Sequence, residues 1–158
     1  MKKIKMIAAI ASNNGIGYKT KIPWHIPEDF KLFKETTLGN VLIMGLTTYH
    51  SIGKALPGRT TIVLSKDPVE LPDALVAYSI PEAVEKAQEL EGEVFVAGGA
   101  SVYHAMIEQA DELYISHVKG EYEADTFFPD IKDDEWIAVE EKEYDNFTFK
   151  RYERRKRA

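Results

Sequence analysis

Cysteine is absent from this chain of 158 residues. Its absence excludes a disulfide scaffold, a thiolate zinc site, an iron–sulfur cluster and a cysteine nucleophile. Long apolar runs are also absent, since no segment approaches the roughly 18 apolar residues that a membrane helix needs. The apolar run at residues 6–11 is shorter than the apolar region of a secretory signal. We therefore expect a cytoplasmic protein without a membrane partner.

Basic charge is scarce over most of the chain. The formal net charge is −6 and the pI is near 5.3, whereas a general nucleic-acid-binding protein is usually basic, so we expect no nucleic-acid partner. The exception is the segment 150–158, which has six bases and one acid, against 14 bases and 25 acids elsewhere. This segment is either a small anion or nucleic-acid contact or, as we favour, a solvated strand end that helps solubility.

The length suits a single domain, residues 1–158, at about 100–200 residues per domain. Short apolar runs alternate with helix-like segments, which indicates an α/β fold. The turn-prone pair Asp145-Asn146 joins the last two runs into an antiparallel hairpin, so the sheet should be mostly parallel with an antiparallel C-terminal edge strand. The eight predicted strands are Lys3–Ser12, Asn40–Met44, Thr60–Leu64, Leu75–Tyr78, Glu93–Ala97, Glu112–His117, Trp136–Lys142 and Thr148–Glu153.

Four helices fit between these strands. They are predicted at Pro27–Leu38, at Thr47–Ile52, from the capping box that starts at Ser79 to near Gly92, and at Ala100–Gln109. The stretch Asn13–Ile26 has no clear period and holds two glycines and a proline. Irregular segments of this length inside a compact domain are often functional lids.

Two adjacent carboxylates, Glu28 and Asp29, stand at the predicted start of the first helix. Adjacent helical residues point about 100° apart, so one can face a pocket while the other faces water. Both could instead simply favour the positive end of the helix dipole. A carboxylate placed among Trp24, Phe30 and Phe33 would be desolvated, which raises its pKa and makes it a candidate proton donor.

Two strand–helix junctions contain glycine, namely Gly98-Gly99 before Ala100 and Gly45 before Thr47 and Thr48. Glycine lets backbone approach a ligand closely, and a helix N-terminus offers free N–H groups to a phosphate. The first junction lacks the G-x-G-x-x-G pattern, so it is also compatible with a plain tight turn. The threonines of the second could serve only as helix caps.

Arg59 follows a Pro-Gly turn just before a predicted strand. An arginine there could be merely solvated, or it could grip a carboxylate with two parallel hydrogen bonds. Lys54 and Lys66 lie at the ends of the same strand region.

Other catalytic signatures are missing. There is neither a G-x-S-x-G elbow nor a phosphate-binding P-loop. The four histidines lack the spacing of metal ligands, so we expect no metal; they are His25, His50, His104 and His117.

The order of these motifs along the chain resembles dihydrofolate reductases of the bacterial type. The resemblance covers essentially the whole chain and implies an eight-stranded α/β fold with four flanking helices. It also implies reduction of 7,8-dihydrofolate with NADPH, a monomer and binding of antifolate inhibitors. The motifs that carry it are Ile7-Ala8-Ala9-Ile10, Gly15-Ile16-Gly17, Pro23-Trp24, Pro27, Asp29-Phe30, Ile43-Met44-Gly45, Leu56-Pro57-Gly58-Arg59, Gly98-Gly99, Val102-Tyr103 and Asp125-Thr126-Phe127-Phe128-Pro129.

The resemblance assigns the chemistry to a small set of residues. It makes Asp29 the one ionisable group facing the pterin, where N5 gains a proton while C6 accepts hydride. Whether the proton comes from Asp29 or through an ordered water stays open. Ser116 stands where the family usually has threonine, so a hydroxyl remains near Asp29. The implied catalytic residues are Asp29, Trp24, Ile22 and Ser116, and the implied substrate-binding residues are Ile7, Ala8, Asp29, Phe30, Phe33, Ile52, Lys54, Arg59 and Ser116.

The resemblance also implies a cofactor-binding set. Two members depart from the family pattern, because Leu46 and Ser101 occupy positions where the family commonly has basic residues near the adenosine 2′-phosphate. Losing two cations there weakens selection of NADPH over NADH, and Lys66 could compensate. The set is Ala9, Ile16, Gly17, Lys21, Ile22, Gly45, Leu46, Thr47, Thr48, Leu64, Ser65, Lys66, Ala97, Gly98, Gly99, Ala100, Ser101, Val102 and Tyr103.

The sequence is also compatible with two other functions. One is a reductase of the same fold that acts on a pyrimidine intermediate of riboflavin synthesis. The other is a nucleic-acid-binding module that uses the basic C-terminal segment. Trp24 with Asp29, and the carboxylate clamp at Arg59, favour the folate substrate, while the acidic body of the chain disfavours nucleic acid.

Overall fold

A computed structural model of the protein describes residues 2–19 and 22–155, so the predicted cofactor residue Lys21 lies outside the described residues. The elements are β1 (Ile4–Ile10), β2 (Gly15–Gly17), α1 (Pro27–Thr37), β3 (Val41–Gly45), α2 (Leu46–Ile52), β4 (Thr60–Leu64), β5 (Leu75–Ala77), α3 (Ile80–Glu89), β6 (Val94–Val96), α4 (Ala100–Met106), a 3₁₀ turn (Ile107–Gln109), β7 (Glu112–Val118), β8 (Thr126–Phe127), β9 (Trp136–Glu143) and β10 (Phe147–Arg154).

Eight strands form one sheet in the order β5-β4-β3-β6-β1-β7-β10-β9. All neighbours are parallel except at β10, which runs antiparallel to both β7 and β9. The predicted α/β class, strand number and mostly parallel sheet are confirmed. The antiparallel C-terminal strand is also present, but it lies second from the edge because the hairpin places β9 outside it.

The sheet is buried on both faces at its centre, as parallel sheets covered by helices are. Residues 41–44 of β3 are fully buried, and successive side chains enter different hydrophobic clusters. Val41 and Ile43 pack with Met6 of β1 on one face, whereas Leu42 and Met44 pack with Ile7 on the other. This unbroken apolar run explains why β3 was recognisable from sequence.

The prediction of an irregular stretch at Asn13–Ile26 is wrong for part of its length. Gly15–Gly17 forms β2 and pairs antiparallel with Thr126–Phe127 in a separate two-stranded sheet. Glycine has little intrinsic strand preference, and the partner strand lies more than 100 residues away. No local sequence pattern therefore predicts this pairing. The predicted helix Ala100–Gln109 is also divided, because α4 ends at Met106 and tightens into a 3₁₀ turn.

The described arginines of the basic C-terminal segment are used within the fold. Arg151 pairs with the buried Glu112 at 3.0 Å. The guanidinium of Arg154 lies 4.2 Å from the ring centre of Trp136 and donates to the backbone carbonyl of Ala110. For these described arginines the prediction of a merely solvated strand end is wrong, while Lys156 and Arg157 of the same segment lie outside the described residues.

Among the described residues, none of the helices is long and apolar enough to cross a membrane.

Candidate active site

A cavity of about 1480 Å³ opens at the carboxyl ends of the parallel strands, with α1, α2 and α4 around it. Its lining includes Gly45, Leu64 and Ala97, which end or follow β3, β4 and β6. It is larger than the roughly 300–1,000 Å³ of a pocket for one drug-sized ligand. From the adjacent strands β3 and β6 the chain continues toward opposite edges of the sheet, to β4 and to β7. Open α/β sheets bind ligands at such a point, where the strand order reverses. The cavity therefore has room for two ligands side by side.

One carboxylate in this cavity is partly buried. Asp29 lies in the first turn of α1, which Pro27 opens, and its carboxylate accepts a hydrogen bond from the Ser116 hydroxyl of β7. Burial raises the pKa of Asp29, and the Ser116 hydrogen bond opposes that rise only in part. Glu28 is exposed and does not line the cavity. The structure thus resolves which of the two adjacent carboxylates faces the pocket.

Apolar side chains surround this end of the cavity. Ile7 of β1 and Phe33 of α1 contribute to the wall. Ile22, Phe30 and Ile52 also line it although they are 51%, 37% and 41% exposed. Large apolar side chains left open around one concave site indicate a surface that an apolar ring system would cover. Asp29 is therefore set in an environment that excludes water once a flat ligand is bound.

The middle of the cavity is made of backbone from two helix starts. Neither α2 nor α4 has a side-chain cap, so their first N–H groups lack side-chain acceptors. Gly98, with φ +108°, precedes a cis peptide bond to Gly99. The amide of Gly45 donates to the carbonyl of Gly98 at 2.9 Å, which joins the two helix starts. This arrangement offers backbone donors to an anionic group such as a pyrophosphate.

Tyr103 ties α4 to the central strand. Its hydroxyl donates to the carbonyl of Ile7 at 2.7 Å, and its ring packs on Phe128 with centroids 4.8 Å apart. Burial raises the pKa of the Tyr103 hydroxyl, so the group remains a donor at neutral pH. The hydrogen bond therefore fixes α4 against β1 at the cavity.

Arg59 lies beside the cavity without being part of its lining. Its Nε donates to the hydroxyl of Thr37 at 2.9 Å, and its two terminal nitrogens each donate to a carbonyl, of Pro57 and Lys34. Three of the five guanidinium N–H groups are used, and one on each terminal nitrogen is left. Burial lowers the pKa of Arg59, and among the described residues no carboxylate offsets that effect. The remaining pair of donors suits a carboxylate.

The predicted residues Trp24 and Lys54 also lie outside the cavity lining. Trp24 is 8% exposed, and its ring centre is 5.2 Å from that of Tyr122 in a hydrophobic cluster behind the site. Lys54 is exposed in the loop after α2. Neither residue therefore contacts the cavity directly in this structure.

All other described residues that the sequence predicted for the site lie in the lining of the cavity. The structure adds lining residues that sequence reasoning missed, among them Tyr114, Phe149 and Asp67. Tyr114 stands two residues before Ser116 on β7, so alternation along the strand could have identified it. The nominated residues in the lining are Ile7, Ala8, Ala9, Ile16, Gly17, Ile22, Asp29, Phe30, Phe33, Gly45, Leu46, Thr47, Thr48, Ile52, Leu64, Ser65, Lys66, Ala97, Gly98, Gly99, Ala100, Ser101, Val102, Tyr103 and Ser116.

The sequence of this chain is similar to those of known proteins along most of its length. The family model for dihydrofolate reductase matches residues 3–155. The dihydrofolate reductase HdrB of Haloferax volcanii is 36% identical over 163 residues, which cover 97% of this chain and 84% of that protein. The dihydrofolate reductase of Buchnera aphidicola is 42% identical over 130 residues, which cover 82% of this chain and 80% of that protein.

The fold leads to the same family. The solved structure of dihydrofolate reductase from Enterococcus faecalis, complexed with NADP(H) and RAB-propyl, is similar with a TM-score of 0.90. The two sequences are 34% identical, and the match covers 98% of this chain and 97% of that one. Since sequence and fold agree over this extent, the resemblance that the motifs indicated is confirmed, and the chain belongs to the dihydrofolate reductase family.

Proposed function

We propose that this protein reduces 7,8-dihydrofolate to 5,6,7,8-tetrahydrofolate with NADPH and so serves one-carbon metabolism. The observation that carries the proposal is the partly buried carboxylate of Asp29 at the apolar end of a cavity whose middle is built from uncapped helix starts. Membership of the family supports it, and none of the comparisons supports the riboflavin-type alternative.

The residues in the middle of the cavity fit a dinucleotide. A Cβ on Gly99 would lie 3.1 Å from the hydroxyl of Thr48, and one on Gly98 would lie 3.3 Å from that of Tyr103, so only glycine lets this backbone pack so closely against the two hydroxyls without displacing them. The Enterococcus relative is complexed with NADP(H). Bound here, NADPH would supply the hydride that C6 of the substrate accepts. We propose that Gly45, Thr47, Thr48, Gly98, Gly99, Ala100 and Ser101 hold its pyrophosphate.

Asp29 is proposed to hold the pterin and to govern its protonation. Its carboxylate would accept hydrogen bonds from the pterin ring N–H and amino group, while Ser116 keeps the carboxylate oriented. The raised pKa keeps a proton available at higher pH than an ordinary aspartate would. That proton is delivered to N5, directly or through water, as C6 gains hydride.

The remaining roles follow from position. We propose that Phe33 and Ile52 flank the pterin and benzoyl groups and that the free donors of Arg59 hold the glutamate carboxylate. Ile22 belongs to the segment after β2, and we propose that this segment closes over the reacting rings. The backbone amide of Lys19 donates to the Asp125 carboxylate at 3.0 Å, which ties that segment to the chain before β8. Trp24 is proposed to support this wall from behind.

The organisation of the protein is part of the same proposal. We propose that residues 1–158 act as one domain, as a cytoplasmic monomer, and that antifolates compete with dihydrofolate for this cavity.

The direct test follows the near-ultraviolet absorbance of reduced nicotinamide in purified protein with 7,8-dihydrofolate. Oxidation that depends on dihydrofolate and is blocked by an antifolate is the expected result. Folded protein that oxidises NADPH only with a riboflavin-pathway pyrimidine, or not at all, would contradict the proposal.

Gly98→Ala is expected to raise the Kd for NADPH about tenfold or more and to lower Tm. The φ of +108° costs an L-residue about 1–2 kcal/mol, and the new Cβ would press on the Tyr103 hydroxyl. Fluorescence titration with NADPH and thermal unfolding measure the two effects.

Gly120→Ala is the matched control for that variant. Gly120 has φ +101° but lies outside the cavity lining, and its new Cβ would come no nearer than 3.6 Å to Tyr122. It should lower Tm while leaving NADPH affinity unchanged. Equal loss of affinity in both variants would show that Gly98 acts only through stability.

A further inference from the structure

The two ends of the cavity can be assigned by the order of the strands. Asp29 and Ser116 mark the end over β1 and β7, and the uncapped helix starts lie over β3 and β6. The lining continues past them to β4 and the start of α3. With strands about 4.8 Å apart, β1 and β4 are separated by roughly 14 Å. A dinucleotide whose nicotinamide meets the substrate near Asp29 therefore places its adenosine over β4 and β5.

The charge at this adenosine end is balanced. Of the described residues that line it, Lys66 and Asp67 carry opposite charges, and both are exposed. Leu46 and Ser101, which line the cavity at the starts of α2 and α4, carry no charge. A phosphate brought here with nearly two negative charges would meet one cation and, next to it, one carboxylate.

Asp67 is held at the cavity edge by its own backbone. The buried hydroxyl of Ser65 donates to the carbonyl of Asp67 at 2.7 Å, and Pro68 restricts the conformation of the residue before it. The same hydrogen bond uses the only proton of the Ser65 hydroxyl, which is then no donor to a phosphate. The turn therefore fixes the backbone of Asp67, whose side chain lines the cavity, and leaves the Ser65 hydroxyl without a proton for a phosphate.

The side chain that suits a ribose with free hydroxyls differs from the side chain that suits a ribose with a 2′-phosphate. A carboxylate accepts hydrogen bonds from the free hydroxyls of NADH ribose, whereas a 2′-phosphate needs an arginine or another cation. We propose that Asp67 is a cofactor-specificity residue that pairs with the adenosine ribose hydroxyls and offsets Lys66, so that the protein accepts NADH about as well as NADPH. This inference rests on the proposed function and deepens it by naming the second cofactor.

The test measures binding of two adenosine fragments by calorimetry, without dihydrofolate. For the unaltered protein, Kd values for 2′,5′-ADP and 5′-AMP should agree within about tenfold. Asp67→Asn should tighten 2′,5′-ADP by about three- to tenfold, since it removes one like charge at an exposed site, and should not tighten 5′-AMP. Glu70→Gln is the matched control, because Glu70 is exposed in the same loop but does not line the cavity, and it should change neither Kd.

Leu46→Arg is the complementary variant. It adds a cation at the start of α2 and should tighten 2′,5′-ADP by roughly tenfold or more, as expected for a charge-assisted hydrogen bond, and should tighten 5′-AMP clearly less because that fragment lacks the 2′-phosphate. Equal effects on both fragments would contradict the charge argument.

Three results would overturn the inference: 2′,5′-ADP binding a hundredfold tighter than 5′-AMP, equal responses of Asp67→Asn and Glu70→Gln, or no binding of either fragment. Steady-state reduction of dihydrofolate separates this from the proposed function. Activity with NADPH and none with NADH would leave the function standing and remove the inference. Balanced fragment binding without any dihydrofolate reduction would do the reverse.

Discussion

Asp29→Asn is expected to lower kcat at neutral pH by roughly 100- to 10,000-fold, the usual contribution of a positioned acid or base. The amide keeps the shape of the side chain but cannot hold or relay the proton that N5 must gain. Affinity for the pterin should also fall, since one amide oxygen replaces a charged carboxylate. Steady-state and single-turnover assays of dihydrofolate reduction measure the loss.

The pH profile distinguishes this role from a structural one. Burial raises the pKa of Asp29, so the unaltered enzyme should keep its activity to higher pH than an ordinary aspartate allows and lose it as pH rises through that pKa. The variant should lack this transition and regain activity at low pH, where the substrate arrives already protonated. Undiminished turnover at neutral pH would exclude the assigned role.

The thermal stability of Asp29→Asn serves as the control for its loss of activity. A carboxyl whose pKa is raised by folding binds its proton more tightly in the native state, so its contribution to stability is present at low pH and is lost as pH rises through the folded pKa. Asn carries no charge to desolvate, so Asp29→Asn should raise Tm at neutral pH. Glu28→Gln, at the exposed neighbouring position, should change neither turnover nor its pH profile. Loss of activity with a lower Tm would indicate a folding defect instead.

Arg59→Ala is expected to raise KM for dihydrofolate by roughly 10- to 150-fold, with kcat changed much less. A charge-assisted hydrogen bond contributes about 1.5–3 kcal/mol, and each 1.4 kcal/mol corresponds to a factor of ten. The guanidinium is held by Thr37, Pro57 and Lys34, so it is in place before a carboxylate arrives. It lies away from Asp29, and its loss should therefore weaken binding without changing the reaction itself.

Two controls make this result specific. A dihydropterin that lacks the glutamate should show the same KM with the unaltered enzyme and with Arg59→Ala. Lys54→Ala should have little effect on either substrate, because Lys54 is exposed and outside the cavity lining. An unchanged KM for dihydrofolate in Arg59→Ala, or an equal rise with the truncated pterin, would exclude the carboxylate clamp.

Elements whose signal is local could be predicted from the order of the amino acids alone. The unbroken apolar run of β3 and the capping box at Ser79 both predict elements that the structure contains. The hairpin around Asp145-Asn146 was also predictable from its turn residues. Each signal lies within a few neighbouring residues, because strand and helix periods and turn conformations are set by adjacent side chains. The ordered motifs along the chain sufficed to indicate the family.

Features that depend on residues distant in sequence became evident only from the three-dimensional fold. Asp29, not Glu28, faces the cavity, and β7 brings Ser116 to it from 87 residues further on. The orientation of Arg59 depends on acceptors in α1, and β2 forms only because Thr126–Phe127 returns beside it. Asp67 joined the site in the same way, through a turn held by Ser65 at the end of β4. These arrangements result from packing between elements, and burial and hydrogen-bond partners exist only once the chain has folded.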